Sequence, residues 1–322
     1  MQPSNSWVCL STLDNQTVSE TTSLDNRGLA YGDGFFTTMG VIDGQILCLD
    51  YHHQRLISHA NALQLDLDSH ALLAILKTSA QQLQQGMLKL IITRAAQAIR
   101  GYGYLPSECG SACEIWLKSS AMVVSTAERL LLANGSFVPV QPISTAVCLS
   151  SRIACLPPPL AGLKSLNRLD NVLASGELQA IKASTSLSST ELDSANIGEG
   201  LLRDMSGCWV EGTMSNVFYQ LSDSRLVELS SDTNKHFESN KNNANYLTEG
   251  QWYTPSMAQS GVAGVMRQVI IDTLSTSKYP IIIRSLEDED LPQLSKLFFC
   301  NALRGIMPMS NLTLLSGEVV GF

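Results

Sequence analysis

The sequence predicts an α+β fold in two domains, and three observations support this prediction. A chain of 322 residues is longer than most single compact units, which usually contain roughly 100–200 residues. Its first third alternates short β-favouring runs with segments of helical periodicity. A stretch of small and polar residues follows before β-favouring runs return. We therefore expect a small α/β domain over residues 1–120, a linker over 121–133 and a larger domain over 134–322.

The N-terminal part begins with a predicted β-hairpin that leads into a helix. The pair Asp43-Gly44 separates the β-favouring runs Phe35–Val41 and Ile46–Leu49, and an Asp-Gly pair in this position is a strong hairpin signal. Asp50 is then expected to cap a helix. That helix carries apolar side chains at helical spacing, namely Leu56, Ile57, Ala60 and Leu63. The further predicted elements are a helix over 72–85, strands over 88–94 and 114–118, and a loop at Arg100–Tyr104.

The C-terminal part is predicted to contain a long helix between β-favouring segments. Residues 137–149 favour a strand, and Pro157-Pro158-Pro159 interrupts the chain before helical periodicity begins. The helix carries a stripe of apolar or small residues that we expect to be buried: Leu166, Leu169, Leu173, Gly176 and Ala180. Two polar segments, 184–200 and 222–252, interrupt this part. The second is too polar to pack, so we expect a mobile loop there.

Composition and charge exclude several classes of function. The net charge of −8 argues against a nucleic-acid partner, because such binding needs clustered Lys and Arg. The apolar runs are far shorter than the roughly 18–20 residues of a membrane-spanning helix, and the N-terminus lacks a secretory signal pattern, so we expect a cytoplasmic protein without a membrane partner. The eight cysteines are scattered, which favours reduced thiols, and we expect no metal site.

Lys164 is the first candidate for chemistry. The apolar residues Leu160–Leu163 precede it, and a predicted helix starts beside it. A low-dielectric environment and a helix N-terminus both disfavour the ammonium form, so they favour the free amine that attacks an aldehyde. On these residues alone, a solvated surface lysine is the ordinary alternative.

Six segments together resemble one enzyme family. The segment Leu163–Leu173, which contains Lys164, resembles the lysine segment of the fold-type IV enzymes that use pyridoxal 5′-phosphate (PLP). This family includes branched-chain and D-amino-acid aminotransferases and 4-amino-4-deoxychorismate lyases. The five other segments resemble family motifs in the same order along the chain: Tyr31–Thr38, Asp50–Leu56, Trp209–Phe218, Gly261–Arg267 and Cys300–Pro308. The resemblance implies a PLP enzyme of the two-domain fold-type IV class that works as a homodimer.

The resemblance also implies a role for individual residues. Lys164 would bond to the cofactor, and Glu211 would face the protonated ring nitrogen, which needs an anion beside it. Arg55 would pair with the phosphate. A glycine turn that starts a helix and the last active-site strand would complete the phosphate site, through Gly264, Val265, Met266, Asn301 and Ala302. Taken singly, Glu211 would pass as an exposed strand carboxylate and Arg55 as a salt-bridging helix residue.

Within this family the resemblance favours the lyases. The pair Thr37-Thr38 stands where branched-chain aminotransferases tend to have Glu-Gly, and the strand with Asn301 is closer to the lyases. The implied reaction converts 4-amino-4-deoxychorismate, a small-molecule substrate, to 4-aminobenzoate and pyruvate, with Lys164 as nucleophile and general base. Thr38 is predicted to contact the substrate or assist the leaving group. The candidates for binding the two substrate carboxylates are Arg94, Arg100 and Tyr102.

Two alternatives stay open. A fold-type IV aminotransferase would act on D-amino or branched-chain amino acids, and Ser165 stands where D-amino-acid aminotransferases can also have serine. A protein that binds PLP without catalysing a reaction would have the same fold. The joint presence of Lys164, Glu211 and Arg55 argues against this second alternative.

Overall fold

Two β-sheets and five α-helices make up the part of the chain that is described. The computed structural model describes residues 7–10, 21–105, 110–124, 126–132, 137–188, 197–222 and 247–322. The mixture of helices and sheets in these ranges confirms the predicted α+β class. The helices are α1 (Arg27–Tyr31), α2 (Leu49–Ala62), α3 (Ser69–Leu83), α4 (Leu169–Ser188) and α5 (Val265–Leu274), with a 3₁₀ helix at Asp288–Gln293.

The first sheet is built from residues 7–121. Its strands are β1 (Trp7–Cys9), β2 (Gly34–Ile42), β3 (Gln45–Ile46), β4 (Leu65–Asp66), β5 (Gly86–Arg94) and β6 (Ser111–Ala121). They pair in the order β1-β6-β5-β2-β3, and β4 adds to β6. The helices α2 and α3 pack against this sheet over a core that includes Phe35, Leu56, Leu72 and Leu90. The core fixes β2 against α2, which positions the first half of the candidate site.

The predicted hairpin is present, but its second strand is short. Asp43 and Gly44 have φ angles of 53° and 71°, as a type I′ turn requires at both central positions. The strand β3 ends at Ile46 because Cys48, with φ of 55°, turns the chain into α2 at Leu49. The prediction that Asp50 caps this helix is wrong: Asp50 lies in the first turn, where a carboxylate still favours the helix dipole.

The second sheet contains the remaining strands. They are β7 (Glu128–Leu131), β8 (Phe137–Val140), β9 (Ser144–Ile153), β10 (Ile197–Asp204), β11 (Trp209–Gly212), β12 (Asn216–Leu221), β13 (Tyr253–Thr254), β14 (Ile282–Ile283), β15 (Leu294–Asn301), β16 (Gly305–Thr313) and β17 (Val319–Gly321). The main path is β14-β13-β12-β11-β10-β9-β16-β8-β7, and β15 joins β12 to β16. Thus β11 and β15, which carry predicted site residues, both pair with β12.

The segments predicted as linker and insertions contain ordered elements. The strand β7 lies inside the predicted linker 121–133 and pairs with β8. In the predicted mobile loop 222–252, residues 223–246 lie outside the described residues, but Leu247 and Trp252 are buried in the core. The expectation of a loop that does not pack is therefore wrong at its C-terminal end, because two large apolar side chains anchor it. In the other polar segment, residues 189–196 lie outside the described residues.

The buried face of α4 differs from the predicted stripe. Ala174 and Leu178 pack in a core with β9 and β10, whereas Leu169 and Leu173 are 79% and 71% exposed. Val172 is also exposed, at 61%. The residues at 174, 178 and 181 form a second stripe at helical spacing, and this stripe faces the sheet. As a result, α4 presents an apolar outer face.

None of the helices in the described ranges is long and apolar enough to span a membrane.

Candidate active site

The main chain around Lys164 is held from two directions. The N–H of Phe36 in β2 donates to the Lys164 carbonyl at 3.0 Å. The N–H of Ala263 donates to the Gly162 carbonyl at 2.9 Å, two residues before α5 begins. The lysine segment therefore runs between the first sheet and the start of α5.

The amine of Lys164 lies beside an aromatic ring. Its Nζ is 4.6 Å from the centre of the Phe36 ring. Desolvation, followed by the charge of Arg55, lowers the pKa of Lys164 to about 7, while Glu211 acts in the opposite direction. The predicted contribution of a helix N-terminus is wrong, because α4 begins only at Leu169. Desolvation and neighbouring cations alone favour the free amine.

Glu211 is a buried carboxylate whose charge acts on Lys164. Its Oε2 accepts a hydrogen bond from the Val262 N–H at 2.8 Å, and its Oε1 accepts one from Asn171 at 3.4 Å. Burial raises the pKa of Glu211, although the Val262 hydrogen bond and the charges of Arg168 and Lys164 oppose this rise. The alternative of an exposed strand carboxylate is therefore wrong for Glu211.

Arg55 connects α2 to the turn before α5. Its guanidinium is buried, and Nη2 donates to the Ala263 carbonyl at 2.6 Å. Burial, and then the charge of Arg168, lowers the pKa of Arg55 to about 10. No carboxylate pairs with Arg55 among the described residues, so the salt-bridge alternative does not apply there.

The glycine turn allows a close approach between two segments. Gly264 is the N-cap of α5, and a Cβ at this position would overlap the Oδ1 of Asn216. Asn216 in turn donates from Nδ2 to the Val262 carbonyl at 2.8 Å. Val265 and Met266 then form the first turn of α5, whose N–H groups have no partner within a helix and can bind an anion. Arg55 and this turn come together as the phosphate prediction requires.

Asn301 is the last residue of β15, and Ala302 begins the turn that leads to β16. The Oδ1 of Asn301 accepts from the N–H groups of Leu303 and Arg304 at 3.1 and 2.8 Å. The Ala302 carbonyl accepts from the Gly40 N–H at 3.2 Å, which brings this turn against β2. These contacts are structural, and the phosphate role of both residues stays a prediction.

Arg94, which we predicted to bind a substrate carboxylate, is instead committed to the scaffold. Its Nε donates to Asp33 at 3.0 Å. Its two terminal nitrogens donate to the carbonyls of Gln64 and Leu63 at 3.2 and 2.6 Å. Each guanidinium nitrogen thus already has an acceptor and the side chain is buried, which disfavours the substrate role of Arg94, and this role stays a prediction.

The other substrate candidates lie on accessible surface. Arg100 is exposed and Tyr102 is 84% exposed. Arg27 ties their loop to α1 by donating to the Tyr102 carbonyl at 3.2 Å. Thr38 is half-buried in β2, two positions after Phe36 and hence on the same face of the strand. Thr38 thus lies on the side of β2 that faces Lys164.

The comparison with known families identifies the family to which this fold belongs. The amino-transferase class IV family matches residues 34–312. The chain belongs to this family. Lys164, Arg55 and Glu211 all lie within the matched range, so the class IV match spans the whole candidate site.

Individual class IV relatives include lyases and an aminotransferase. An aminodeoxychorismate lyase from Vibrio harveyi is 23% identical over 291 residues, which are 90% of this chain and 87% of the relative. A putative branched-chain-amino-acid aminotransferase from Methanocaldococcus jannaschii is 24% identical over 294 residues, which are 89% and 81% of the two chains. The crystal structure of 4-amino-4-deoxychorismate lyase from Pseudomonas aeruginosa aligns with a TM-score of 0.68 and 27% identity, over 96% of this chain and 93% of that one.

Class IV aminotransferases depend on PLP, which confirms the predicted cofactor. The residues present fit this group. A lysine with a lowered pKa interacts with the charge of a buried carboxylate, and an arginine meets a glycine turn at a helix start. Two buried polar atoms near these residues, His52 Nε2 and Asn171 Oδ1, have no hydrogen-bond partner within the described ranges, as expected where a polar ligand or water binds.

Several residues of this class IV site were not predicted from the sequence. Arg168 and Asn171 lie next to Glu211, where Arg168 acts through its charge and Asn171 through a hydrogen bond. Both stand in the Lys164 segment, so that motif could have indicated them. His52 and His59 on α2 are buried near Lys164; their spacing of seven residues on one helix face was the available signal.

The lowered pKa of Lys164 predicts a pH-dependent stability of the apoprotein. Between the folded-state pKa of about 7 and the ordinary value of 10.5, the unfolded chain binds the lysine proton more tightly, so stability rises with pH. Replacing Lys164 with Met removes this proton. We expect K164M to be more stable than the wild type by about 4 kcal/mol near pH 7, and this difference to shrink to about 1 kcal/mol near pH 10. Urea unfolding of both apoproteins across this range measures it, and a difference independent of pH would contradict the lowered pKa.

Proposed function

We propose that this chain converts 4-amino-4-deoxychorismate to 4-aminobenzoate and pyruvate. The observation that carries the proposal is a lysine amine whose pKa is lowered by burial to about 7 and which interacts with the charge of the buried Glu211. It occurs in a chain that aligns with the Pseudomonas aeruginosa lyase over 96% of its length at 27% identity. This combination supports a PLP lyase that works near neutral pH.

The proposed cofactor contacts use the residues that the site brings together. Bound PLP would supply an electron sink for the pair of electrons left by a broken C–H bond. Lys164 would bond to it, Glu211 would hold the proton on its ring nitrogen, and Arg55 would neutralise its phosphate. The first-turn N–H groups of Val265 and Met266, after Gly264, would complete the phosphate site. Asn301 and Ala302 remain candidates at its edge.

The proposed reaction requires one base at one carbon. Lys164, as the free amine, would take the proton from the ring carbon that bears the substrate amino group. The ether bond on the neighbouring carbon then breaks, and its oxygen leaves with the three-carbon unit, which takes up a proton to become pyruvate. The ring gains aromaticity in this step, so the elimination is strongly favourable. Thr38, on the same face of β2 as Phe36, would hydrogen-bond the substrate or the leaving oxygen.

We propose that the exposed loop near α1 binds the substrate carboxylates. Arg100 is solvent-accessible and has no ion pair within the described residues, so its guanidinium is available. Tyr102 lies beside Tyr31, with ring centres 5.2 Å apart. Loops that project from a rigid scaffold commonly carry substrate-binding residues. Arg94 is the less favoured candidate, because its buried guanidinium already donates to Asp33, Gln64 and Leu63.

Amino transfer is the second candidate function. The putative branched-chain-amino-acid aminotransferase from Methanocaldococcus jannaschii, at 24% identity, is as similar in sequence as the Vibrio harveyi lyase. An aminotransferase would use the same Lys164 to move a proton between two positions and would exchange an amino group with a 2-oxo acid. The two reactions therefore differ in their products rather than in their base.

One product assay separates the two functions. The PLP-loaded protein is incubated with 4-amino-4-deoxychorismate, and pyruvate and 4-aminobenzoate are measured. Parallel reactions contain D-alanine or a branched-chain amino acid with 2-oxoglutarate. Equimolar pyruvate and 4-aminobenzoate support the lyase. Absence of both products together with rapid transamination would overturn it.

Arg55 is expected to determine cofactor affinity. Replacing Arg55 with Gln should weaken PLP binding by about 10- to 100-fold, because a buried charge-assisted contact to the phosphate is lost. Equilibrium dialysis with PLP measures the dissociation constant. The matched control is Arg129→Gln, since Arg129 pairs with Asp43 on the exposed surface. Equal PLP affinities of the two variants would remove Arg55 from the phosphate site.

A homodimer is part of the proposal. The outer face of α4 exposes Leu169, Val172 and Leu173, and adjacent exposed apolar side chains of this kind often mark an interface. Replacing Leu173 with Lys should shift the holoprotein from dimer to monomer in sedimentation velocity at micromolar concentration. A wild-type protein that sediments as a monomer of 34.9 kDa would contradict the dimer.

A further inference from the structure

His59 contacts the main chain of the lysine from the opposite element. It lies on α2, one turn after Arg55, and its ring packs edge-on against Phe35 with ring centres 5.3 Å apart. Its Nε2 accepts a hydrogen bond from the Lys164 N–H at 3.0 Å. His59 is buried, so water competes poorly for this bond.

A neighbouring serine defines the tautomer of His59. The Ser58 hydroxyl donates to the Arg55 carbonyl at 3.2 Å, so the hydroxyl oxygen can accept the proton of His59 Nδ1, which lies 3.3 Å away. This leaves Nε2 as the acceptor for Lys164. Burial, followed by the charges of Arg55, Arg168 and Lys164, lowers the pKa of His59 to about 3. The imidazole is therefore neutral at working pH, and Nε2 keeps its lone pair.

Other bonds also hold this segment, and among them the Arg168 guanidinium donates to the Leu163 and Ser165 carbonyls on either side of the lysine. The Lys164 carbonyl accepts from the Phe36 N–H, and Ser165 forms an isolated bridge with Phe35. Within the described residues, His59 is the one side chain that hydrogen-bonds the main chain of Lys164. The placement of the lysine thus depends on side-chain identity at position 59, and a substitution can test it.

We propose that His59 is a positioning residue for Lys164, holding the lysine main chain so that the amine stays beside Phe36 and Glu211. The inference deepens the proposed function and rests on Lys164 being the PLP lysine. Without the imidazole, the segment loses one of its two main-chain anchors at this residue, and water gains access to the amine. Burial and the charge of Arg55 are the two largest causes that lower the pKa of Lys164, so the pKa would rise if water reached the amine and the amine moved away from Arg55. Glu211 already raises this pKa, and Arg168 and Lys89 lower it more weakly.

The experiment compares three variants with the wild type. His59→Ala removes the acceptor, and His59→Gln provides an amide oxygen at about the position of Nε2. His53→Gln is the matched control on the same helix, because His53 pairs with Ser69 at 3.0 Å and packs against His70 rather than against the lysine segment. Competitive labelling of Lys164 with an amine-reactive reagent, followed by peptide mass spectrometry, measures its reactivity in the apoprotein as a function of pH. The PLP-loaded enzymes are then assayed for kcat and KM.

The expected result depends on whether the side chain at position 59 can accept a hydrogen bond from the Lys164 N–H. In His59→Ala, labelling of Lys164 at pH 7 falls about fivefold, as a rise of about one pKa unit requires. The kcat falls about 10- to 100-fold, the range expected for a small displacement of a catalytic group, while KM changes less than about threefold. His59→Gln restores labelling to within about twofold of the wild type, and His53→Gln matches the wild type throughout.

Two outcomes would overturn the inference: His59→Ala labels Lys164 like His53→Gln, or His59→Gln is as impaired in labelling and kcat as His59→Ala. Failure of the proposed function has a different signature. Apoprotein labelling reports on Lys164 without any substrate, so a wild type that makes no 4-aminobenzoate but shows the expected labelling pattern overturns the lyase reaction and retains the role of His59.

Discussion

Replacing Lys164 with Ala is expected to lower kcat for pyruvate release by about 10³-fold or more. The substitution removes both the nucleophile that bonds to PLP and the base that moves the proton, and a general base alone commonly contributes about 10²–10⁴-fold. Replacing Lys164 with Arg should be equally damaging, since a guanidinium keeps its proton at neutral pH and cannot attack an aldehyde. Stopped-flow detection of 4-aminobenzoate measures the rate of the first turnover.

The control for this substitution is Lys77→Ala, an exposed lysine on α3, which should leave the rate unchanged. Borohydride reduction of the wild-type PLP-loaded protein, followed by peptide mapping, gives an independent test. The reduced cofactor should be found on Lys164. Label on another lysine, or a K164A variant that keeps a tenth of the wild-type rate, would contradict the assignment.

Replacing Glu211 with Gln is expected to lower kcat by about 10²-fold or more. Burial raises the pKa of this carboxyl group, and the Val262 hydrogen bond and the charges of Arg168 and Lys164 favour its ionised form. An amide has no charge to hold a proton on a ring nitrogen, so the electron sink weakens. The amide also brings an N–H group toward one of the two donors that now point at the carboxylate, Val262 and Asn171, which adds a local cost.

The matched control is Glu177→Gln on α4. That carboxylate also accepts hydrogen bonds, from Ser150 and Ser151, but it lies outside the candidate site. Both variants should lose some stability, and only the Glu211 variant should lose activity and change the visible absorbance of bound PLP. Equal losses of activity in the two variants would show that Glu211 acts through stability alone.

The sequence predicted those features that depend on local chemistry. The Asp43-Gly44 hairpin was predictable because positive φ angles restrict which residues can form the turn. The cofactor was predictable because Lys164, Glu211 and Arg55 stand in recognisable segments. By contrast, the N-cap of α2 was assigned to Asp50 because its side chain is a good cap, although the chain enters the helix through Cys48 in a left-handed conformation. Periodicity alone could not reveal that choice.

Features that depend on packing between distant segments were not predictable. The sequence does not show that Asp33, Gln64 and Leu63 accept hydrogen bonds from the guanidinium of Arg94, so Arg94 was predicted to bind substrate. The stripe chosen for α4 was the more apolar one, with Leu169 and Leu173, while the sheet takes the face with Ala174 and Leu178. A helix with two apolar stripes does not encode which one faces the sheet.

Because several cations lie close together at the site, the stability of the protein depends on the concentration of its cofactor. Burial lowers the pKa of Arg55, Arg168 and Lys164, and repulsion from neighbouring cations lowers the pKa of Arg55 and Lys164 further. An anionic ligand relieves this repulsion, and at about 100 times its dissociation constant it adds roughly 2.7 kcal/mol to stability. In a cell short of vitamin B6, the chain should therefore be degraded faster, and its abundance should follow the cofactor. Melting temperatures at graded PLP concentrations measure this coupling, and a melting temperature that does not change would refute it.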